Sequence, residues 1–202
     1  IPMIKRSFDA IVSLVTLLVI FPLLFLISIW IKVDSQGPIL FKQLRVGRNL
    51  KNFKMYKFRT MLIEKTSLGE VGLDGDLHKA RENYQTTKIN DPRITVCGNI
   101  LRKYHLDELP QFFNVLRGEM SLVGPRPDVP AQEIDYTKNQ WHRRHKVRPG
   151  ISGLSQIFSS SKKFNHNLRI ALDLKYQKAN NICLDIYILF KTVLSVLRGK
   201  SY

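Results

Sequence analysis

The stretch AIVSLVTLLVIFPLLFLISIWI, which runs from Ala10 to Ile31, contains no charged side chain. A helix needs about 20 mainly apolar residues to cross the hydrocarbon core of a bilayer, so this segment is long enough to insert. A cleaved signal peptide fits less well, because its apolar region is about 7–15 residues long and is followed by small residues. Here the apolar segment ends with Trp30 and Ile31 and is followed by Lys32. We therefore expect the segment to insert into a membrane.

Pro22 interrupts the apolar segment near its middle. Proline removes a backbone hydrogen bond and clashes with the preceding turn, so we expect a kink there. A kinked segment can span the bilayer, or it can form a re-entrant hairpin that enters and leaves on one face. Lys5 and Arg6 precede the segment and Lys32 follows it, so the charges give a spanning orientation little bias. The residues alone leave both topologies open.

The composition indicates one ordinary domain with an anionic partner. The chain has 202 residues, of which 44% are hydrophobic and 24% charged, and this content suits a packed core. Its formal net charge of +16 predicts attraction to nucleic acid, anionic lipid or a phosphate-rich substrate. Cys97 and Cys183 form no CxxC pair, so neither a metal knuckle nor a disulfide framework is indicated. Because the sequence starts at Ile1, we expect a tag remnant or the cut end of a longer chain.

The remainder of the chain predicts an α+β, helix-rich domain. Glycine breaks and β-branched or aromatic residues from Gly37 to Met61 predict short strands joined by turns. The polar stretch from Glu64 to Asn90 predicts a surface loop with a short helix at Asp76–Gln85, and it is the best candidate for a substrate lid. Helical spacing covers Asn99 to Leu116. It returns in Leu184 to Leu197, a helix that either lies at a bilayer interface or packs into the core.

An acidic pair stands at the start of HLDELPQFFNVLRGEMSLVGPRP, His105 to Pro127. Pro110 is tolerated only in the first turn of a helix, so it predicts that a helix starts at Asp107 and Glu108. The free amides at a helix start favour negative charge, whether from a carboxylate or from a phosphate. For a bare Asp-Glu-x-Pro, ordinary helix capping is therefore favoured over catalysis.

Basic side chains around the acidic pair favour a catalytic role. Arg102 lies upstream, and Arg126 is held between two prolines downstream. Fixed guanidinium groups beside two carboxylates suit phosphoryl transfer, in which the protein positions the reacting groups and offsets phosphate charge. One carboxylate can attack phosphorus while its neighbour holds a divalent ion or removes a proton. Adjacent carboxylates repel each other, so we expect a hard cation with oxygen ligands.

At these residues the chain resembles the bacterial sugar transferase family, the monotopic phosphoglycosyl transferases that start glycan assembly on polyprenyl phosphate. The likeness covers nearly the whole chain through KRSFD at Lys5–Asp9, GPILFKQLRVG at Gly37–Gly47, KFRTM at Lys57–Met61, DPRIT at Asp91–Thr95, LDELPQFFNVLRGEMSLVGPRP, and RPGISGLSQ at Arg148–Gln156. Several linked motifs in one order are far more specific than any single motif. Two positions depart from the family pattern, because Phe21 replaces the serine of its Ser-Pro helix break and Ser155 replaces the tryptophan of GLWQ.

The resemblance implies a ping-pong reaction on a UDP-sugar. Asp107 would attack the sugar-linked phosphate, release UMP and form a phosphosugar-aspartyl intermediate, which undecaprenyl phosphate then attacks. Glu108 would contact Mg²⁺ and assist the second attack. Arg126 would bind phosphate, with Arg102 and Arg59 as further phosphate contacts.

The resemblance also implies an architecture and a location. Residues 1–32 would form a re-entrant membrane hairpin and residues 33–202 a single catalytic domain with interfacial amphipathic helices, on the cytoplasmic face of the bacterial inner membrane. The expected partners are UDP-sugar, undecaprenyl phosphate and anionic membrane lipid. No nucleic acid is expected, although WHRRHKVRP at Trp141–Pro149 mixes basic and aromatic residues. A homo-oligomer and the identity of the sugar are left open. A non-enzymatic assembly protein is the rival, and the intact acidic pair argues against it.

Overall fold

In the computed structural model, residues 2–62, 77–83, 91–159 and 164–197 are described. Their α-helices are α1 (Pro2–Asp34), α2 (Leu77–Asn83), α3 (Val96–Lys103), α4 (Gln111–Arg117), α5 (Lys138–Arg144), α6 (Leu154–Ile157), α7 (His166–Ala179) and α8 (Ile182–Leu197). Their strands are β1 (Leu40–Val46), β2 (Asn52–Phe58), β3 (Ser121–Val123) and β4 (Gly150–Ser152). Short 3-10 turns occupy Leu106–Glu108 and Pro130–Asp135. The expected helix-rich α+β composition is confirmed.

The strands predicted between Gly37 and Met61 form an antiparallel hairpin. β1 pairs with β2 in a register that runs from Leu40 opposite Phe58 to Val46 opposite Asn52. Side chains of β2 alternate at its start, so that Phe53 is buried while its neighbours are exposed. This alternation is the pattern of a strand with one face on the core.

A second, parallel pair joins β3 to β4, with Ser121 opposite Gly150. The two backbones approach so closely that a Cβ added to Gly150 would lie 2.0 Å from the Gly124 amide nitrogen. Only glycine fits such a contact. This pair brings the segment after β3 beside the RPG motif that leads into β4.

The apolar segment is one continuous helix. α1 runs from Pro2 to Asp34 with Pro22 inside it, so the backbone shows no helix break at the proline and the expected re-entrant hairpin is not confirmed. Leu17 before the proline and Leu24 after it both pack into the same buried cluster. This shared packing holds the two halves in line. By length and composition alone, α1 could cross a membrane.

α1 lies against the rest of the chain along its length and exposes an apolar face. Leu17, Leu24, Ile27 and Ile31 are buried on one side. Large apolar side chains on the other side are exposed, namely Ile11, Leu14, Val15, Leu18, Val19, Phe25, Leu26, Ile29 and Val33. The helix is therefore one-sided: it packs on the domain through one stripe and exposes apolar side chains on the other side.

Polar residues of the KRSFD motif anchor the start of α1. Lys5 forms an ion pair with Asp185. Arg6 donates from Nη1 to the Val115 carbonyl at 2.6 Å and from Nη2 to the Leu116 carbonyl at 2.7 Å, at the end of α4. A cation at that end also complements the helix dipole. The motif therefore has a structural role, which is to fix α1 on the domain.

The remaining helices differ in detail from those predicted. The helix predicted across Asn99 to Leu116 is divided into α3 and α4 by the 3-10 turn at Leu106–Glu108. A short helix is confirmed within Asp76–Gln85, as α2. Most of the surface loop predicted from Glu64 to Asn90, the candidate lid, lies outside the described residues. α8 buries Asp185 and Ile188, which supports its core packing, and it exposes an apolar face at Ile186, Tyr187, Phe190 and Val193. Interfacial placement of such helices is not confirmed.

A buried charged cluster lies between α5, α7 and the segment after β3. Asp128, Arg144 and Asp173 are each no more than 2% exposed. Arg144 pairs with both carboxylates, and Arg169 Nη2 reaches Asp128 Oδ1 at 2.5 Å. Burial alone would raise the pKa of Asp128, but Arg144 and Arg169 outweigh it and hold that pKa below its usual value. Buried charges of this kind are tolerated because each has an opposite partner.

Asp9 gives a direct test of how α1 is anchored. Its buried carboxylate accepts hydrogen bonds from Ser121 Oγ at 2.8 Å and from the Leu122 amide at 3.3 Å. Asp9→Ala leaves both donors unpaired, so we expect a loss of about 1–3 kcal/mol in the free energy of unfolding. Thermal unfolding of the detergent-solubilised protein measures it. Ser7→Ala, at an exposed position of the same turn, is the control and should leave Tm unchanged.

His145 predicts a loss of stability in mild acid. Burial and the neighbouring Arg144 lower its pKa to about 4, although Asp128 and Asp173 oppose them, and neutral Nδ1 donates to the Trp141 carbonyl. The unfolded chain takes up this proton at about pH 6.5 and the folded chain only at about pH 4, so stability falls across that range by about 3 kcal/mol.

The matched variants for this prediction are His145→Asn, which removes the titration, and His142→Asn at an exposed neighbouring position. We expect the drop in Tm between neutral and mildly acidic pH to be smaller in His145→Asn and unchanged in His142→Asn. An equal acid response in all three proteins would contradict the assignment to His145.

Candidate active site

The acidic pair lies on a separate turn and does not cap a helix. Asp107 and Glu108 belong to the 3-10 turn Leu106–Glu108, which follows His105 in the left-handed region at φ 54°. α4 starts at Gln111 with Pro110 as its N-cap, and no side chain caps it. The predicted helix start is thus displaced by a few residues. Because neither carboxylate is used for capping, the ordinary explanation for an acidic pair at this place does not apply.

Glu108 is paired with cations from two other parts of the chain. Lys57 Nζ on β2 lies 2.5 Å from Glu108 Oε1, and Arg126 Nη2 lies 3.7 Å from the same oxygen. Burial would raise the pKa of Glu108, but Lys57 and Arg126 outweigh it and lower that pKa to about 2. Glu108 is therefore a carboxylate at any physiological pH.

Asp107 has a different environment from its neighbour. Its carboxylate forms no hydrogen bond or ion pair with any residue that the structure describes. Burial raises the pKa of Asp107, and the negative charge of Glu108 raises it further. The positive charges of Lys57 and Arg102 oppose this shift. Pairs of carboxyl groups whose environments push their pKa values apart are typical of active sites. An unpaired oxygen beside a paired one can attack an electrophile without first breaking a salt bridge.

Glu108, Lys57 and Arg126 line one cleft. Gly150 and Ile151 of strand β4 and Gln156 of α6 also line it. The lining residues are Arg45, Met55, Lys57, Glu108, Gln111, Arg126, Pro127, Gly150, Ile151 and Gln156. Asp107 lies beside this cleft on the same turn and is half-buried. Two cations beside Glu108, with Arg45 as a third cation in the lining, make the cleft suitable for an anionic ligand such as a phosphate ester.

Asn114 positions the turn against the hairpin. This residue of α4 is fully buried, and its side chain accepts from the Tyr56 amide at 3.0 Å and donates to the Lys54 carbonyl at 2.8 Å. The Asn114 side chain thus bonds one amide and one carbonyl of the β2 backbone, as the backbone of a neighbouring strand would. It fixes the distance between β2, which carries Lys57, and the turn that carries Glu108.

Of the three predicted phosphate contacts, only Arg126 lies at the cleft. Arg102 donates from Nε to Thr60 Oγ1 at 2.9 Å and acts on Asp107 through its charge. Arg59 is only 3% exposed and donates from Nη2 to the Ser35 carbonyl at 2.6 Å, just beyond the end of α1. Its position gives Arg59 a structural role and no support for phosphate binding.

Sequence reasoning missed Lys57, although it lies in the quoted KFRTM segment. In the sequence, Arg59 is favoured because guanidinium groups bind phosphate well. The sequence does not show which basic side chain faces the acidic turn, because that depends on the strand and its register. The signal that could have identified Lys57 is its position within β2, which pairs with β1. Arg59 lies one residue beyond the end of that strand.

Protein ligands for a metal ion are few at this site. The described residues contain no group of three His, Cys, Asp or Glu side chains that could hold a metal ion. Mg²⁺, however, commonly takes only one or two carboxylates and completes its octahedron with water and substrate phosphates. One carboxylate, such as that of Glu108, would be enough for a partial site of this kind if a bound diphosphate supplied further oxygens.

Comparisons with known proteins agree over almost the full chain. The bacterial sugar transferase family model matches residues 2–199. The chain is 43% identical over 198 residues to an undecaprenyl-phosphate glucose phosphotransferase of Komagataeibacter xylinus, covering 94% of this chain and 35% of that protein. It is 41% identical over 209 residues to an exopolysaccharide production protein of Rhizobium leguminosarum, covering 98% of both.

A third relative is a UDP-glucose:undecaprenyl-phosphate glucose-1-phosphate transferase of Escherichia coli, which is 38% identical over 205 residues, or 98% of this chain and 41% of that protein. The chain thus spans less than half the length of two of these relatives and nearly the full length of the Rhizobium protein.

Proposed function

The chain belongs to the bacterial sugar transferase family, and from this we propose that it moves a sugar 1-phosphate from a UDP-sugar to undecaprenyl phosphate. The observation that carries the proposal is the acidic turn, where Asp107, which has no ion-pair partner among the described residues, adjoins a Glu108 that is held by Lys57 and Arg126. The relatives include undecaprenyl-phosphate sugar transferases and an exopolysaccharide production protein. The proposed product would start a cell-surface polysaccharide or glycoconjugate.

In the first proposed step, an Asp107 oxygen attacks the phosphorus that carries the sugar. The bond from that phosphorus to the bridging oxygen breaks, and UMP leaves with the bridging oxygen and its electron pair. The product on the protein is a phosphosugar-aspartyl mixed anhydride. Arg126 and Lys57 offset the charge on the phosphate oxygens, which is the main requirement for phosphoryl transfer.

In the second proposed step, an oxygen of undecaprenyl phosphate attacks the same phosphorus. The Asp107–phosphorus bond breaks, the aspartate carboxylate is restored, and the lipid leaves as a diphosphate sugar. Glu108 stays ionised because of Lys57 and Arg126. As a carboxylate it can orient the incoming groups through the cations that it contacts.

Mg²⁺ is proposed as the cofactor, and Glu108 is the residue that would hold it. When bound, it would supply a positive charge that neutralises the diphosphate oxygens. Lys57 contacts Glu108 Oε1, and this ion pair fixes the orientation of the carboxylate.

We also propose that α1 holds the protein on one face of the bacterial inner membrane, with the cleft on the cytoplasmic side. Lys5 and Arg6 anchor its start to the domain, and Arg59 binds the Ile31 carbonyl near its end. A helix of this length measures about 50 Å, so a perpendicular crossing would draw the attached polar domain into the hydrocarbon. Its exposed apolar face instead meets lipid, and the net charge of +16 favours anionic headgroups.

The test of the proposed function is UMP release by the detergent-solubilised protein from a panel of UDP-sugars. We expect release from one sugar that continues only when undecaprenyl phosphate is present and that needs Mg²⁺. Such a result names the donor as well as the reaction. Absence of UMP with every donor, in a protein shown to be folded, would contradict the proposal and favour a non-enzymatic role.

The acidic pair separates into two roles under mutation. Asp107→Asn removes the attacking oxygen, so we expect UMP release to fall by at least about 10⁴-fold. Glu108→Gln keeps Asp107 and should leave measurable turnover, slower by about 10²- to 10³-fold and with a higher Mg²⁺ requirement. UMP release assays over a Mg²⁺ titration measure both variants. Similar losses with unchanged Mg²⁺ dependence would contradict the division of roles.

A further inference from the structure

We propose that Arg144 is a positioning residue that sets Arg126 in the cleft by holding the main-chain carbonyl of Arg126 itself. This inference rests on the proposed function, in which Arg126 binds phosphate. The Arg126 side chain is 47% exposed, and its Nη2 lies 3.7 Å from Glu108 Oε1. A long and exposed side chain has many rotamers, so its placement depends on how firmly its backbone is held.

The backbone that carries Arg126 is held at every carbonyl. The four consecutive carbonyl oxygens from Pro125 to Asp128 each accept a hydrogen bond, and the donors come from different parts of the fold. In order, they are the Gly150 amide at 2.9 Å, Arg144 Nη2 at 2.6 Å, Arg45 Nη1 at 2.8 Å and the Val46 amide at 2.9 Å. Two prolines in the same segment restrict φ further. The segment is thus a rigid support for one exposed side chain.

Among these donors, Arg144 is the one whose placement is most completely determined. Its side chain is 1% exposed and is held by Asp128 through Nη1 and by Asp173 through Nε at 2.9 Å. The planar guanidinium then directs Nη2 at the Arg126 carbonyl. Neutralising two buried carboxylates requires only positive charge, whereas reaching a third acceptor in a fixed direction requires the fork geometry of arginine.

Arg144 acts through Arg126 because it is too deeply buried to meet a substrate. A shift of about 1 Å in a positioning group can cost on the order of 10²-fold in rate. Loss of the bond to the carbonyl should therefore reduce turnover without removing any substrate contact. A purely structural residue would instead lower the amount of folded protein and leave the turnover of each folded molecule unchanged.

Arg144→Lys is the test variant, because it keeps the charge between Asp128 and Asp173 and loses the fork. Arg169→Lys is the matched control, since Arg169 pairs with the same two carboxylates, whereas the bond to the Arg126 carbonyl comes from Arg144. We expect kcat/KM for UMP release to fall by about tenfold to hundredfold in Arg144→Lys and by less than about threefold in Arg169→Lys. If Arg144→Lys does not fold, the double variant Arg144→Gln, Asp173→Asn is the test variant instead, because it keeps the net charge of the cluster.

A double-mutant cycle with Arg126→Ala, which leaves no cation to position, separates positioning from stability. If Arg144 acts through Arg126, Arg144→Lys should cost less than about threefold in the Arg126→Ala background. Penalties that multiply in full would overturn the inference.

Hydrogen exchange of the peptide covering residues 121–129 gives a readout that does not need activity. Exchange should be faster in Arg144→Lys than in Arg169→Lys, and equal exchange would overturn the inference. A wild-type protein that releases no UMP would contradict the proposed function, while the exchange comparison would still decide whether Arg144 holds the segment.

Discussion

The ion pair between Lys57 and Glu108 joins the β-hairpin to the acidic turn at 2.5 Å, and the chemistry of the site depends on it. Each side chain is less than one-fifth exposed, so the pair is less screened by solvent than a surface salt bridge. The lysine keeps Glu108 ionised. Asp107, one residue earlier, has no such partner among the described residues and has a raised pKa. Two identical functional groups in adjacent positions thereby acquire different properties, which is what a nucleophile and a supporting carboxylate require.

α4 connects this site to the apolar helix. Asn114 ties α4 to β2 beside Lys57, and Arg6 of α1 binds the carbonyls at the other end of α4. The position of the cleft relative to α1 is therefore fixed through α4, together with the contacts of α1 to β3 and α8. The KRSFD motif, far from the cleft in sequence, gains a physical reason for its polar residues: they hold the long apolar helix on the domain.

Local patterns predicted much of this fold. The hairpin of β1 and β2, the helices α2 and α8 and the proximity of the acidic pair to a helix start all follow from spacing, glycine breaks and Pro110. Contacts between residues far apart in sequence could not be predicted, because local sequence patterns carry no information about them. Arg59 and Lys57 are alike in sequence context, and only the strand end determines that one binds Ser35 while the other binds Glu108. Pro22 predicted a break, but packing of Leu17 and Leu24 on one cluster keeps α1 continuous.

The central claim is that Asp107 becomes covalently attached to the phosphosugar. The most direct measurement is mass spectrometry of the protein after rapid acid quench with its UDP-sugar and Mg²⁺ in the absence of undecaprenyl phosphate. The account predicts a mass increase equal to one sugar phosphate, located on the peptide that contains Asp107, and its loss when the lipid phosphate is added. An adduct of the same mass on the Asp107→Asn protein, or lipid-dependent turnover with no adduct at any quench time, would contradict it.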